Sequence, residues 1–151
     1  MFWLNSLMAS VHHLAAFTLT ACLVYEWLSF SATMPSAVAR RIQRVDLWYG
    51  ISAAVMLVAG VLRVIYFAKG ADFYIVSPMF WVKMALFVIV GLLSIIPTVA
   101  FIRWRVPGDD QPLVLPADEA RRIRRILNLE LVGLALILVV APAMARGIGL
   151  N

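Results

Sequence analysis

Charged residues and cysteine are both scarce in this sequence. Charged side chains make up 14% of the 151 residues and hydrophobic ones 64%, whereas a typical soluble domain is about a quarter charged and about half apolar. This composition, with a mean hydropathy of +0.93, excludes a soluble globular protein. Cys22 is the one cysteine, which excludes a disulfide within the chain. The sequence also lacks the glycine motifs of P-loops and dinucleotide-binding folds.

Four long stretches contain no Asp, Glu, Lys or Arg, at residues 1–25, 47–62, 84–102 and 131–145. A helix needs about 20 apolar residues to cross the hydrocarbon core of a bilayer. We therefore predict an all-α integral membrane protein, an up-and-down four-helix bundle that forms a single transmembrane domain over residues 1–151. The spans are expected at about residues 6–29, 46–67, 79–103 and 122–145. The first stretch has no Lys or Arg before its apolar part, and its apolar run is long for the h-region of a secretory signal. We therefore interpret it as a retained span.

The net charge of +5 is distributed unevenly along the chain. Most arginines lie in two predicted loops, between spans one and two and between spans three and four: Arg40, Arg41, Arg44, Arg103, Arg105, Arg121, Arg122, Arg124 and Arg125. Short loops rich in Lys and Arg stay in the cytoplasm. The pattern predicts a multi-pass protein of the bacterial inner (cytoplasmic) membrane with both termini periplasmic. It indicates the lipid bilayer, and not nucleic acid, as the partner of this positive charge.

The ionisable residues of the predicted spans fall into two sets by depth. A charge at the bilayer centre costs about 2.5–3.5 kcal/mol on insertion scales, so each should face the bundle interior or reach an interface. The inner set consists of Glu26, Asp46 and Glu130. We expect these acids to pair with nearby arginines, Arg44 and Arg125. The outer set is basic: His12, His13, Arg63, Lys69, Lys83 and Arg146.

Helical periodicity separates the two histidines of the first span. Residues that are 14 apart return to within about 40° of the same direction, because each residue turns the helix by about 100°. His12 is therefore expected to share a face with Glu26 and to point inward when Glu26 does. His13 is displaced by about 100° and is expected to face another helix or lipid.

Basic groups around an imidazole need an anion, because crowded positive charges repel each other at low dielectric. A haem meets this need, since its iron binds a neutral imidazole such as that of His12 and its propionates pair with cations. The propionate partners on this side of the chain are Arg63, Lys69, Lys83 and Arg146. Adjacent histidines on one helix do not bind one iron from both faces. The far side is therefore expected to be open, shared across a homodimer, or ligated by Met144 or Met84.

Three other classes of function are considered. Met8, His12 and Met144 offer thioether and imidazole ligands that suit Cu(I), which favours a copper-handling membrane protein. Alternatively, His12 and Lys83 hydrogen-bond to the backbone, to Asp72 or to Tyr74 without any ligand, and the chain is a non-catalytic membrane scaffold or assembly partner. A proton or ion carrier with Glu26 and Glu130 as a relay is less favoured, because no acidic residue continues the path through the membrane centre.

Five short segments carry a family resemblance: Arg63–Gly70 (RVIYFAKG), Phe80–Lys83 (FWVK), Pro97-Thr98, Phe101–Trp104 (FIRW) and Ala145–Gly147 (ARG). With these segments the chain resembles an uncharacterised bacterial membrane protein family, the domain of unknown function twenty-two fourteen. The resemblance covers nearly the whole chain and implies a membrane protein without assigned activity.

Three further features are an early histidine in span one, the pair Arg40-Arg41, and Trp81 with Lys83 at the start of span three. In these features the chain more distantly resembles HemJ-type protoporphyrinogen oxidases and copper-resistance D membrane proteins. The resemblance implies haem binding by His12 or His13 and a functional role for Lys83. The oxidases also carry a Leu-Pro-Arg-rich motif ending in Tyr-His after span one, which this chain lacks.

Together these patterns favour a cytochrome-like membrane protein that binds b-type haem near its outer face. Electron transfer or porphyrin-related redox chemistry is the expected use of the haem, with a homodimer or a redox partner as the expected associate. Whether the chain is an enzyme is left open.

Overall fold

The computed structural model describes residues 2–67 and 74–146. In this part of the chain the predicted four-helix membrane bundle is confirmed. The helices are α1 (Phe2–Ser29), α2 (Ser36–Leu62), α3 (Pro78–Arg103) and α4 (Ala117–Ala145), and a π-helical turn (Arg63–Phe67) continues α2. Each is long and apolar enough to cross a membrane.

The helices pack as two hairpins. α1 lies along α2, and α3 lies along α4, with the most extensive contacts of the bundle in these pairs. The hairpins meet through smaller contacts of α1 with α4 and of α2 with α3. The helices therefore follow one another around the bundle in chain order, as expected when short loops join antiparallel neighbours.

A two-stranded sheet joins the loops at one end of the bundle. Strands β1 (Thr33–Pro35) and β2 (Pro112–Val114) pair antiparallel, with Met34 opposite Leu113. We call this end, which carries the arginine-rich segments, the loop end, and the opposite end, where α1 begins and α4 ends, the terminal end. The local sequence does not predict this sheet, because each strand has three residues and gains its partner from a segment far away in the chain.

Buried side chains concentrate in the half of the bundle nearest the loop end. The rings of Phe30, Phe101 and Trp104 pack together there, with centroids 4.7 Å apart for Phe101 and Trp104 and 6.2 Å apart for Phe30 and Trp104. In α3 no described residue before Val90 is buried. The terminal half of the bundle therefore has much less close packing between its helices.

Candidate functional site

His12 packs against α2 in the terminal half of the bundle. Its half-buried ring places Nδ1 3.1 Å from the backbone oxygen of Met56. Because a carbonyl oxygen only accepts hydrogen bonds, Nδ1 carries the hydrogen and donates it. In the neutral ring, Nε2 then keeps its lone pair. His12 and the buried Glu26 both face inward, as the helical periodicity predicted.

Gly60 provides the space for this ring. A Cβ atom at residue 60 would lie 3.3 Å from Cε1 and 3.5 Å from Nδ1 of His12. The first distance is shorter than ordinary van der Waals contact, so a larger residue there displaces the imidazole. The absence of a side chain at Gly60 therefore allows His12 to reach the carbonyl of Met56.

Two cationic side chains lie near His12. Lys83 of α3 and Arg63 are both partly buried, and each interacts electrostatically with His12. The Nε atom of Arg63 is buried and has no hydrogen-bond partner. In the described part of the chain, neither cation forms an ion pair. Three basic groups thus share an apolar region in which the described residues supply no neutralising carboxylate.

Arg63 also begins the π-helical turn that ends α2. Single π-helical turns inside α-helices are rare and occur frequently at functional sites. The turn lies one helical turn beyond Gly60, so the space for the histidine ring and the change in helical winding are neighbouring features of one segment.

The other predicted site residues have different environments. His13 is exposed, with its ring centroid 6.0 Å from that of His12. Arg146 is exposed at the end of α4, and Lys69 lies outside the described residues. Met8 is half-buried and Met144 is buried.

Neither Met8 nor Met144 is hydrogen-bonded to His12. Within residues 2–67 and 74–146, no group of three or more His, Cys, Asp or Glu side chains is arranged to hold a metal ion. The hydrogen bond from His12 to a backbone carbonyl was also expected of the alternative without a ligand. The distinctive features of the site are therefore the free Nε2 atom and the unneutralised cations.

The prediction that the inner acids pair with arginines is wrong. Glu26, Asp46 and Glu130 are buried, while Arg44 and Arg125 are exposed. The ion pairs in the described residues join other partners, Arg40 with Asp109 and Arg121 with Asp118. Helical geometry explains this outcome, because a residue two positions before Asp46 or five positions before Glu130 points to another side of its helix.

The three acids instead lie together with hydroxyl groups. Thr98 donates a hydrogen bond of 2.8 Å to Asp46, and the Tyr49 hydroxyl lies 3.4 Å from Oε2 of Glu130. Glu26 interacts electrostatically with both other acids. We call Glu26, Asp46 and Glu130 the acidic cluster. Pairing each acid with an arginine nearby in the chain does not predict the cluster, although the positions are compatible with one inward face.

Comparison with known proteins gives one family. No curated protein and no solved structure matches the chain. The family described as predicted membrane protein, DUF2214, matches residues 4–149, which is nearly the whole chain and includes His12, Arg63, Lys83 and the acidic cluster. The chain therefore belongs to the DUF2214 family of predicted membrane proteins.

Proposed function

We propose that this protein binds b-type haem in the terminal half of its bundle, with His12 as the axial ligand. One observation carries the proposal. Nδ1 of His12 donates to the carbonyl of Met56, which leaves Nε2 free beside two partly buried cations that no described carboxylate neutralises.

The hydrogen bond of His12 is the arrangement that a metal-binding imidazole needs. Histidines that bind metals usually donate their second ring hydrogen to a backbone carbonyl or a carboxylate, which sets the tautomer and the orientation of the ring. Met56 supplies that carbonyl, and Gly60 lets the ring approach it. This hydrogen bond supports the tautomer in which a neutral imidazole presents Nε2, the form that haem iron accepts.

The cations fit the propionate groups of haem. Charge-assisted hydrogen bonds from Arg or Lys to a carboxylate are among the stronger polar interactions, and they gain strength away from water. The buried Nε of Arg63 and the partly buried Lys83 are donors of this kind. Lys69 and Arg146 remain further proposed partners.

The sparse packing of the terminal half suits an apolar macrocycle. Helices that lack a close-packed core on this side leave hydrophobic side chains to cover a ligand. When bound, the haem would supply one-electron redox chemistry, used in electron transfer or in a porphyrin-related reaction. Met144, Met84 or a second copy of the chain would then supply a second ligand, or that position would stay open.

An absorption spectrum of the purified protein tests this proposal. Protein from haem-replete bacterial cells is expected to show an intense Soret band that shifts on reduction. His12→Ala should remove the band, whereas the matched variant His13→Ala should keep it because His13 is exposed.

Other outcomes of the same experiment contradict the proposal. A colourless wild-type protein after haem reconstitution excludes haem binding, and loss of the band in His13→Ala alone moves the ligand to that residue. Copper in metal analysis without a Soret band indicates the copper-handling alternative through Met8, His12 and Met144. Absence of both copper and the Soret band supports a scaffold or assembly role.

We further propose that the protein lies in the bacterial inner membrane with its loop end in the cytoplasm and both termini in the periplasm. The arginine-rich segments at the loop end support this orientation through the preference of basic loops for the cytoplasm. The chain has one cysteine, Cys22, so a Cys22→Ser background allows a single new cysteine to be introduced and labelled. In intact spheroplasts an impermeant maleimide should label Asn5→Cys, whereas it should label Asp110→Cys only after lysis. Labelling of Asp110→Cys in intact spheroplasts, with Asn5→Cys labelled only after lysis, would contradict this orientation.

A further inference from the structure

The acidic cluster and its hydroxyl partners bring side chains from every helix of the bundle to one buried position near the loop end. Glu26 belongs to α1, Asp46 to α2 and Glu130 to α4. Thr98 of α3 donates to Asp46, and Tyr49 of α2 lies beside Glu130. The residue exposures are 2% for Glu26, 6% for Asp46 and 1% for Glu130. Water therefore has little direct contact with these carboxyl groups.

Two carboxyl oxygens of the cluster have no partner. Oε1 of Glu26 and Oε1 of Glu130 are buried and accept no hydrogen bond in the described structure. A buried polar atom without a partner costs free energy that a native fold usually avoids. These two atoms therefore indicate that these carboxyl groups bind a further partner.

The described groups around the cluster include no cation that neutralises it. The titratable groups near the acids are the Cys22 thiol on α1 and the Tyr49 hydroxyl on α2. α3 contributes the hydroxyls of Ser94 and Thr98. On α4 the nearest partly buried cation is Arg124.

Arg124 is engaged elsewhere. Its guanidinium donates to the backbone oxygens of Trp27 and Phe30, and it lies 5.3 Å from the centre of the Phe30 ring. It makes no ion pair with the cluster in the described residues. Arg44 and Arg125 are exposed.

A proton is the cation that this geometry accommodates. An isolated carboxylate in an apolar interior is so unfavourable that it normally becomes neutral, and neighbouring carboxylates add repulsion. The acids are not arranged to hold a metal ion in the part of the chain described. A proton needs one oxygen only, and two unpartnered oxygens are present.

We propose that the acidic cluster is a proton-binding site that exchanges protons with the solution at the loop end. Oε1 of Glu26 and Oε1 of Glu130 are the atoms that hold the protons. Ionisable residues within membrane bundles commonly form proton relays, and this cluster has the carboxyl and hydroxyl groups that such relays use.

The loop end is the side from which protons reach the cluster. Glu26 lies within one turn of the end of α1, where the half-buried Trp27 indole donates a 2.7 Å hydrogen bond to the exposed Asn128. In the other direction, His12 is about 21 Å away along α1 at about 1.5 Å per residue. Leu19 and Leu23 are buried in between.

Infrared spectroscopy of the full chain in lipid bilayers tests the site. At neutral pH we expect the carbonyl stretch of a protonated carboxylic acid. This band should shift in D₂O and disappear reversibly as the pH is raised. Glu26→Gln and Glu130→Gln should each lose part of the band, and the double variant most of it. Asp110→Asn, at an exposed acid, should leave it unchanged.

The wild-type measurement alone decides the outcome if a variant fails to fold. No protonated band at neutral pH, a band insensitive to high pH, or a band that does not shift in D₂O overturns the proposal. His12→Ala separates it from the haem proposal, because this variant should lose the Soret band and keep the infrared band. Loss of the infrared band in folded His12→Ala would contradict a separate site.

Discussion

Gly60→Ala tests whether the placement of the His12 ring controls ligand binding. The new Cβ atom would lie 3.3 Å from Cε1 and 3.5 Å from Nδ1 of His12. The backbone of α2 is held by its own helical hydrogen bonds, so the histidine ring is the group that moves. A movement of a few tenths of an ångström lengthens the 3.1 Å hydrogen bond to Met56.

The size of the effect follows from that hydrogen bond. A neutral hydrogen bond contributes about 0.5–1.5 kcal/mol net, which corresponds to about 2- to 12-fold in affinity at 1.4 kcal/mol per tenfold. Loss of the group that orients a metal ligand typically weakens binding by about 10- to 100-fold. We therefore expect haem to bind Gly60→Ala about tenfold more weakly than the wild type.

The assay is titration of haem into haem-free protein in lipid nanodiscs, followed at the Soret band. Gly50→Ala is the matched control, because it is the same substitution on the same helix and a Cβ atom there meets nothing within 4 Å. It should bind haem as the wild type does. Equal affinity of the Gly60→Ala and Gly50→Ala proteins, with His12→Ala unable to bind, would refute the role assigned to the Met56 hydrogen bond.

Three further predictions concern stability, measured as the free energy of unfolding in bicelles. Leu23→Ala should cost about 2–5 kcal/mol by leaving a cavity. Leu28→Ala should cost much less, because Leu28 is 68% exposed. Equal losses in the two variants would contradict the position of the core. Gly133→Ala should cost about 1–3 kcal/mol by overpacking against Val90, and the added change Val90→Ala should recover most of this loss. Arg124→Gln should cost about 1.5–3 kcal/mol, because the guanidinium donates to two carbonyls at the end of α1; an unchanged stability would show that water replaces it.

The site was only partly predictable from local sequence. The spacing of His12 and Glu26 indicated a shared inward face, because the angle per residue of a helix is nearly constant. The same rule, applied to Arg44 and Asp46, would have predicted that they point to different sides. Proximity in the chain predicted an ion pair between these residues instead, and the structure shows that this prediction is wrong. The contact of His12 with Gly60 and Met56 was not predictable, because it depends on how α1 is placed along α2.

The sequence by itself determined the class of fold. Four apolar stretches of sufficient length form helices in a bilayer because a spanning segment must satisfy its own backbone hydrogen bonds. Tertiary structure decided what the polar residues face. It paired β1 with β2, placed His12 beside Gly60, and gathered three acids from separate helices, since each of these contacts joins residues far apart in the chain. Rotation and register of packed helices depend on the fit of many side chains at once, which no single segment encodes.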